Sequence, residues 1–443
     1  MGGIAGWRGV LRRFSSILLW SVIAAAFIGP GTVTTAAAAG ASFGTALLWA
    51  LLFSTLACFV LQEASARLTV VTGRTLGQAL RDRYRDAVSG VMILLLVLGA
   101  IVLGCAAYEA GNILGGVAGA ALATGWSKQG LTLLCGLAAF LLLWSQAPRR
   151  VARLLSIAVA VMGIAFLATA WRLAPGIDGI ASGLLVPRLP GGEAGVLVLG
   201  LVGTTVVPYN LFLGSGLARG ERLDDLRLGL AVAIGLGGAV SMGVLVVGTA
   251  VAGVFAYEAL AEVLETTLGG WAGALFGLGL FAAGFSSAIT APLAAAMTAA
   301  DLFDHRGDGG GQWHRRSWRY RGIWIGVLLT GLIFGLTDVR PIPAIILAQA
   351  LNGLLLPLVA IFLLIAVNDR RSMGSAANRW VGNLSMSAVV WVSLLLGVGG
   401  IWRATVGVIG GPAPRPAMLV VVTMAIALAL IVPIHRVIRR SRA

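Results

Sequence analysis

The chain has 443 residues, of which 58% are hydrophobic and only 11% charged, a balance outside that of a water-soluble globular domain. Its formal net charge of +15 raises the question of nucleic acid, but no soluble basic domain is present to carry such binding, so that class is set aside. What remains is an all-α polytopic membrane protein, with the lipid bilayer as its first partner.

Twelve apolar stretches follow in order, at 17–39, 43–66, 88–112, 129–147, 151–172, 195–218, 229–255, 270–300, 322–337, 342–367, 384–402 and 417–435. Most reach the ~20 residues that a helix needs to cross a bilayer. The N-terminus imitates a secretory signal, with arginines, an apolar core from Ile17 to Ile28 and small residues after it. Gly29-Pro30-Gly31 interrupts that core and eleven further spans follow, so an uncleaved first helix is expected.

The interruption itself is informative. Pro30 cannot donate a hydrogen bond and clashes with the preceding turn, while glycines on either side permit backbone angles denied to other residues. Breaking a helix in hydrocarbon exposes amide and carbonyl groups at a cost of several kcal/mol, on the order of 2–7 for each group. The sixth stretch repeats the pattern: "LGLVGTTVVPYNLFLGSG" places threonines, Pro208, Tyr209 and Asn210 inside an apolar run. Two broken helices therefore open two groups of five spans, 17–172 and 195–367. An odd number of spans per group inserts the second group inverted, and paired interruptions point to a binding site at the bilayer midplane. The stretch 384–435 adds two accessory C-terminal helices, and one transmembrane domain over 1–443 is the simplest description.

Charge supports the same topology. With a cytoplasmic N-terminus, only Lys128, Arg172, Arg188, Arg340, Arg403 and Arg415 of the 32 basic residues fall outside, which predicts cytoplasmic termini in an inner or plasma membrane. The segment 301–321, rich in Gly and charge, reads as a mobile cytoplasmic loop. Cys58, Cys105 and Cys135 lie in apolar spans without metal-type spacing and read as core fillers. His305, His314 and His435 all fall in cytoplasmic segments, leaving no imidazole within the membrane.

These residues carry a resemblance. The first broken helix with "GASFGTALLWALLFSTLACFVLQEASARL", the sixth with "VVPYNLFLGSG", "GFSSAITAPLAAAM" in the eighth and "AQALNGLLLPL" in the tenth are similar to the Nramp (natural-resistance-associated macrophage protein) metal-ion transporters. The resemblance implies a LeuT-type fold of two inverted five-helix repeats, about 12 transmembrane helices in all, with substrate held between the unwound parts of helices 1 and 6. It implies no cofactor and no enzymatic activity.

The motifs depart from the family at the points that hold the metal. Where the family has Asp-Pro-Gly-Asn, this chain has Gly29-Pro30-Gly31-Thr32; where it has Met-Pro-His, this chain has Val207-Pro208-Tyr209, followed by Asn210. Gly214 replaces a further histidine. The implied substrate-binding positions are Ala26, Gly29, Thr32, Thr204, Val207, Tyr209, Asn210 and Gln349. Among them the carbonyls of Ala26 and Thr204, the Thr32 hydroxyl and the amides of Asn210 and Gln349 are the groups able to ligate a metal. On the third helix, "YEAGNILGG" resembles the family's proton-release segment, with Glu109 where an acid is expected and Asn112 where a second acid often stands.

A dehydrated divalent cation needs a carboxylate, because neutral carbonyls and hydroxyls replace its hydration poorly. Losing the thioether also removes the bias toward softer metals. Three readings stay open: a secondary transporter of a small inorganic cation of the Mg²⁺/Mn²⁺ type; a relative carrying an organic cation, amino acid or anion; and a receptor that binds solute without turnover. Glu109 is either a proton-coupling site or a neutral acid bonded to Asn112, and Glu63 with Arg67, one turn apart, is expected to form a structural pair.

Overall fold

The computed structural model describes residues 28–84, 88–145, 148–173, 176–191, 194–304, 312–409 and 418–429. They fold as helices throughout, with no strand among them. Helix α1 (Pro30–Phe43) starts on Pro30, whose fixed φ and missing N–H suit a first helical position, behind Gly29 in extended backbone. A short 3₁₀ turn at Gly44–Leu47, entered through Gly44 at φ +58°, leads into α2 (Leu48–Thr72). That helix ends on Gly73 in the left-handed region, whose N–H bonds the Thr69 carbonyl at 2.8 Å.

There follow α3 (Leu76–Tyr84), α4 (Val88–Thr124), α5 (Lys128–Ser145), α6 (Pro148–Leu173) and the short α7 (Ile177–Leu185). The second half comprises α8 (Ala194–Thr205), α9 (Pro208–Leu217), α10 (Leu223–Gly248), the connecting helix α11 (Tyr257–Leu268), α12 (Trp271–Phe303), α13 (Trp318–Leu336) and α14 (Pro341–Val367). One turn, α15 (Arg370–Met373), precedes α16 (Trp380–Ile409) and the shorter α17 (Met418–Ala429).

Ten helical runs among the described residues are long and apolar enough to cross a membrane, against twelve expected stretches. The difference has two sources. The first and second expected stretches merge into one run, Pro30–Thr72, because only a 3₁₀ turn separates them, and residues 17–27 lie outside the described residues. The last expected stretch is described only as Met418–Ala429, too short to count. The amphipathic α11 is a connecting helix that inserts Tyr257, Leu260 and Leu264 into the core and leaves Glu258 and Glu265 exposed.

Small residues set how closely the helices meet. A Cβ on Gly284 of α12 would lie 2.5 Å from the Gly116 Cα of α4, so these two helices cross with backbones nearly touching. The same device joins α8 to α14, where a Cβ on Gly203 would fall 1.9 Å from the Gln349 carbonyl. The result is a bundle whose centre is the broken pair: 89% of the best window of Ala194–Leu217 is buried, against 28% for Trp318–Leu336 at the periphery. Outward faces carry exposed leucines such as Leu133, Leu137 and Leu141 on α5, a surface suited to lipid and costly in water.

Candidate functional site

The interruption expected in the sixth stretch is present, and the one expected in the first falls at the edge of the described residues, which begin at Ile28. In the sixth stretch, α8 stops at Thr205, Val206 and Val207 run non-helically, and α9 restarts on Pro208 with Val207 as its extended N-cap. In the first, α1 starts at Pro30 directly after the extended Gly29. Ala26 lies outside the described residues.

The two breaks meet through hydroxyls. Thr32 Oγ1 and Thr204 Oγ1 are 2.8 Å apart, a hydrogen bond between positions 172 residues distant in sequence. Tyr108 of α4 braces the sixth-helix break, its hydroxyl donating to the Thr204 carbonyl at 3.2 Å and the Gly203 carbonyl at 3.4 Å. Thr34 bonds the Pro30 carbonyl at 2.7 Å and the Tyr257 hydroxyl at 2.6 Å, tying α1 to the connecting helix α11. Burial pushes the Tyr257 phenol above its usual range, so it keeps its proton for that bond.

Gln349 enters from α14 against both halves of the bundle. A Cβ on Gly31 would lie 2.2 Å from its Nε2, and one on Gly111 would lie 3.6 Å away, so glycines on α1 and α4 make the space it fills. Its Oε1 is buried without a hydrogen-bond partner, and so is the Asn210 Nδ2. Buried amides are nearly always paired, and these two lie beside the helix breaks with one unpartnered polar atom each. Since the O and N of an amide are assigned rather than seen, either group can present an oxygen.

A Cβ added at Gly29 would stand at an ordinary 3.7 Å from Ser287 Oγ, so this position accommodates the first atom of a side chain. Tyr209 packs edge-on against Tyr108, ring centroids 5.6 Å apart and only 2% exposed, which places it in the packing of α4 and α9 rather than as an open aromatic face.

Glu109 and Asn112 are adjacent, Asn112 Nδ2 donating to Glu109 Oε2 at a long 3.5 Å, and Glu109 Oε1 has no partner. They do not join the hydroxyl pair. Glu109 packs on α13, where a Cβ on Gly331 would fall 2.7 Å from its Cγ, while its neighbour Tyr108 turns toward the break. Tyr108, Tyr257 and Asn352 escaped the sequence reading. Tyr108 was signalled only as an aromatic beside Glu109; Asn352, one turn beyond Gln349, bonds the Ala348 carbonyl at 3.1 Å and leaves its Oδ1 unpartnered. A polar amide inside "AQALNGLLLPL" is the signal that could have found it.

Glu63 and Arg67 form the expected pair at 3.2 Å, extended by Arg227, whose guanidinium reaches Glu63 at 2.8 Å. Arg67 also donates to the Ala376 carbonyl and to Asn378 Oδ1. No cluster of three or more His, Cys, Asp or Glu side chains fit to hold a metal ion occurs among the described residues. The central site is thus built from hydroxyls, amides and backbone carbonyls.

Comparison with known proteins places this architecture. The chain is 28% identical to the divalent metal cation transporter MntH of Klebsiella pneumoniae over 392 residues, covering 85% of this chain and 91% of that protein. Its fold matches the manganese transporter of Eremococcus coleocola with a TM-score of 0.74 at 20% identity, over 100% of this chain and 97% of the other. More distantly it matches Mhp1, a nucleobase-cation-symport-1 family transporter in a closed conformation with bromovinylhydantoin bound, at a TM-score of 0.55 and 14% identity, over 96% and 93% of the two chains. These neighbours share the LeuT-type fold. Residues 21–403 match the family described as natural resistance-associated macrophage protein-like, and the chain belongs to that family as a multi-pass membrane protein.

Proposed function

We propose that the protein is a secondary transporter of a small divalent cation of the Mg²⁺/Mn²⁺ type, which it carries with much of its water shell retained. The observation that carries this reading is the pairing of the two helix breaks through Thr32 and Thr204 beside the orphaned amides of Gln349 and Asn210, in a chain whose relatives are named divalent metal cation transporters. A site of neutral oxygens cannot replace the hydration of a bare divalent ion, but it can hydrogen-bond the waters of one, and Mg²⁺ is the common divalent most reluctant to shed them. Thr32, Thr204, Asn210 and Gln349 are the groups assigned to that task, with the Ala26 carbonyl; Gly29 and Val207 stand at the breaks, and Tyr209 shapes the wall.

Movement follows the logic of alternating access. The broken helices, tied to each other by hydroxyls, rock against the rest of the bundle and open the site to each side of a cell membrane in turn, with both termini cytoplasmic. Proton coupling is assigned to Glu109, which packs against α13 and not on the Thr32–Thr204 pair.

A second reading, a non-metal solute, is favoured by the missing carboxylate, and one assay separates the two. Purified protein in proteoliposomes is tested for uptake of Mg²⁺, of Mn²⁺ and of a panel of organic cations and amino acids, with and without a pH gradient. Saturable Mg²⁺ or Mn²⁺ flux is expected, with Glu109→Gln abolishing its pH dependence; uptake of an organic solute without divalent flux overturns the cation reading. Gly29→Asp sharpens it: with a Cβ accommodated at Gly29, an added carboxylate should tighten Mn²⁺ binding at least about tenfold.

A further inference from the structure

A second polar cavity, of about 700 Å³, lies at the Arg-rich end of the bundle, away from the helix breaks. It is walled by α3, the end of α9, the end of α12 and the approach to α13. Its lining holds four guanidinium groups, Arg81, Arg219, Arg315 and Arg316, against the carboxyl groups of Asp301 and Asp304.

Thr75 Oγ1 donates to Asp301 Oδ2 at 2.8 Å, and Arg81 donates to the backbone carbonyls of Asp304 and Asp301 at the C-terminal end of α12 while pairing with Asp82. Three guanidinium groups, those of Arg219, Arg315 and Arg316, then stand against the two carboxylates, so the lining stays net positive. Arg219 bonds only a neutral partner, the Gln78 Oε1 at 3.2 Å, and Arg219, Arg315 and Arg316 make no ion pair with another described residue.

Three further features complete a receptor for an oxyanion. The N-terminus of α13, a helix of 19 residues, opens on the cavity behind its Ser317 cap, adding the positive end of its dipole. Tyr320 in its first turn lines the cavity, is 4% exposed, and leaves its hydroxyl buried without a hydrogen-bond partner. Trp313 is fixed against Phe303, ring centroids 6.1 Å apart, and forms an aromatic edge to the opening.

We propose that this cavity binds a phosphate-bearing anion, with the guanidinium groups of Arg219, Arg315 and Arg316 and the Tyr320 hydroxyl as its donors. Guanidinium forks match the oxygens of phosphate, and a buried hydroxyl supplies a donor that solvent does not satisfy. A lipid headgroup at the membrane edge and a soluble phosphate present the same chemistry to this site.

The test uses the full-length protein in detergent and reads binding without transport, so it is independent of what the central site carries. One arm titrates inorganic pyrophosphate by calorimetry; the other titrates a short-chain phosphatidylglycerol, with short-chain phosphatidylcholine as the zwitterionic comparison of no net charge. Binding in either arm, weakened at least about tenfold by Arg315→Gln with Arg316→Gln and severalfold by Tyr320→Phe, supports the proposal, and the arm that responds names the source. Arg370→Gln with Arg379→Gln, at the same end but outside the cavity, should leave affinity unchanged. No binding in either arm, or equal loss from the two arginine pairs, overturns it. Should the Arg315 and Arg316 pair fail to fold, Tyr320→Phe decides alone, and unaltered affinity in that variant refutes the site.

Discussion

At the central breaks the chain holds buried polar groups with hydroxyls and amides, whereas at the Arg-rich end it uses guanidinium groups. Thr32 meets Thr204, and Tyr108 covers two freed carbonyls, without any ion pair. At the other end Glu63, Arg67 and Arg227 form a network that reaches the loop after α15 through Ala376 and Asn378. The difference follows from dielectric. A charge in hydrocarbon costs several kcal/mol even after relaxation, about 3 by insertion scales, whereas near the headgroups the same charge is partly solvated. Neutral groups at the centre therefore make a site that can open and close without separating charges, while the charged end binds helices α2, α10 and the α14–α16 connection together.

The largest test of this contrast concerns the backbone contact beneath the centre. Gly203→Ala puts a Cβ 1.9 Å from the Gln349 carbonyl oxygen and 2.6 Å from the Gly353 nitrogen, both backbone atoms that no rotamer can move. Helices α8 and α14 must separate, at a cost of about 3 kcal/mol. The variant should lose most of its folded yield or melt well below the parent, as read by thermal unfolding in detergent. A parent-like melting temperature would show that the two halves are less tightly joined than the glycine contact implies.

The charged end is expected to be weaker, and more graded. Arg67→Ala strips donors from the Ala376 carbonyl and from Asn378, and leaves Glu63 with the half-exposed Arg227 alone. A loss of ~2 kcal/mol is expected, mainly from acceptors left unpaired, since the surface part of the network contributes little. Arg67→Lys keeps charge but cannot fork to three acceptors, so it should recover only part of the loss. Full recovery by lysine would mean that charge alone, and not geometry, holds this end.

What the sequence made legible follows the same division. The breaks at Pro30 and Pro208 were readable because proline and glycine act locally, on the backbone that carries them. The Glu63–Arg67 pair was readable because i and i+4 always share a helix face. Tyr108, Tyr257 and Asn352 were not, because each acts across an interface: a tyrosine on α4 reaches the break in α8, one on α11 reaches Thr34 on α1, and Asn352 on α14 donates to the Gly104 carbonyl on α4. The direction in which Glu109 points was hidden for the same reason, since one residue of offset from Tyr108 turns it by about 100° around the helix, toward Gly331. The boundary between the first two stretches was hidden because a 3₁₀ turn, rather than a polar loop, joins them.

The smallest expected effect on stability is the most informative about function. Thr32→Val removes one hydroxyl of the Thr32–Thr204 pair while keeping the shape of the side chain, and should lower stability by only about 1 kcal/mol. Its effect on flux should be far larger if those hydroxyls hold the waters of the cation, and Thr32→Ser should restore it. The double-mutant cycle with Thr204→Val isolates the pair: each single change already breaks the bond, so the second should add little to the loss of stability. If both single variants transport at the parental rate, the hydroxyls merely close the break, and the cargo is assigned instead to Gln349 and Asn210, whose amides each hold a buried atom without a partner.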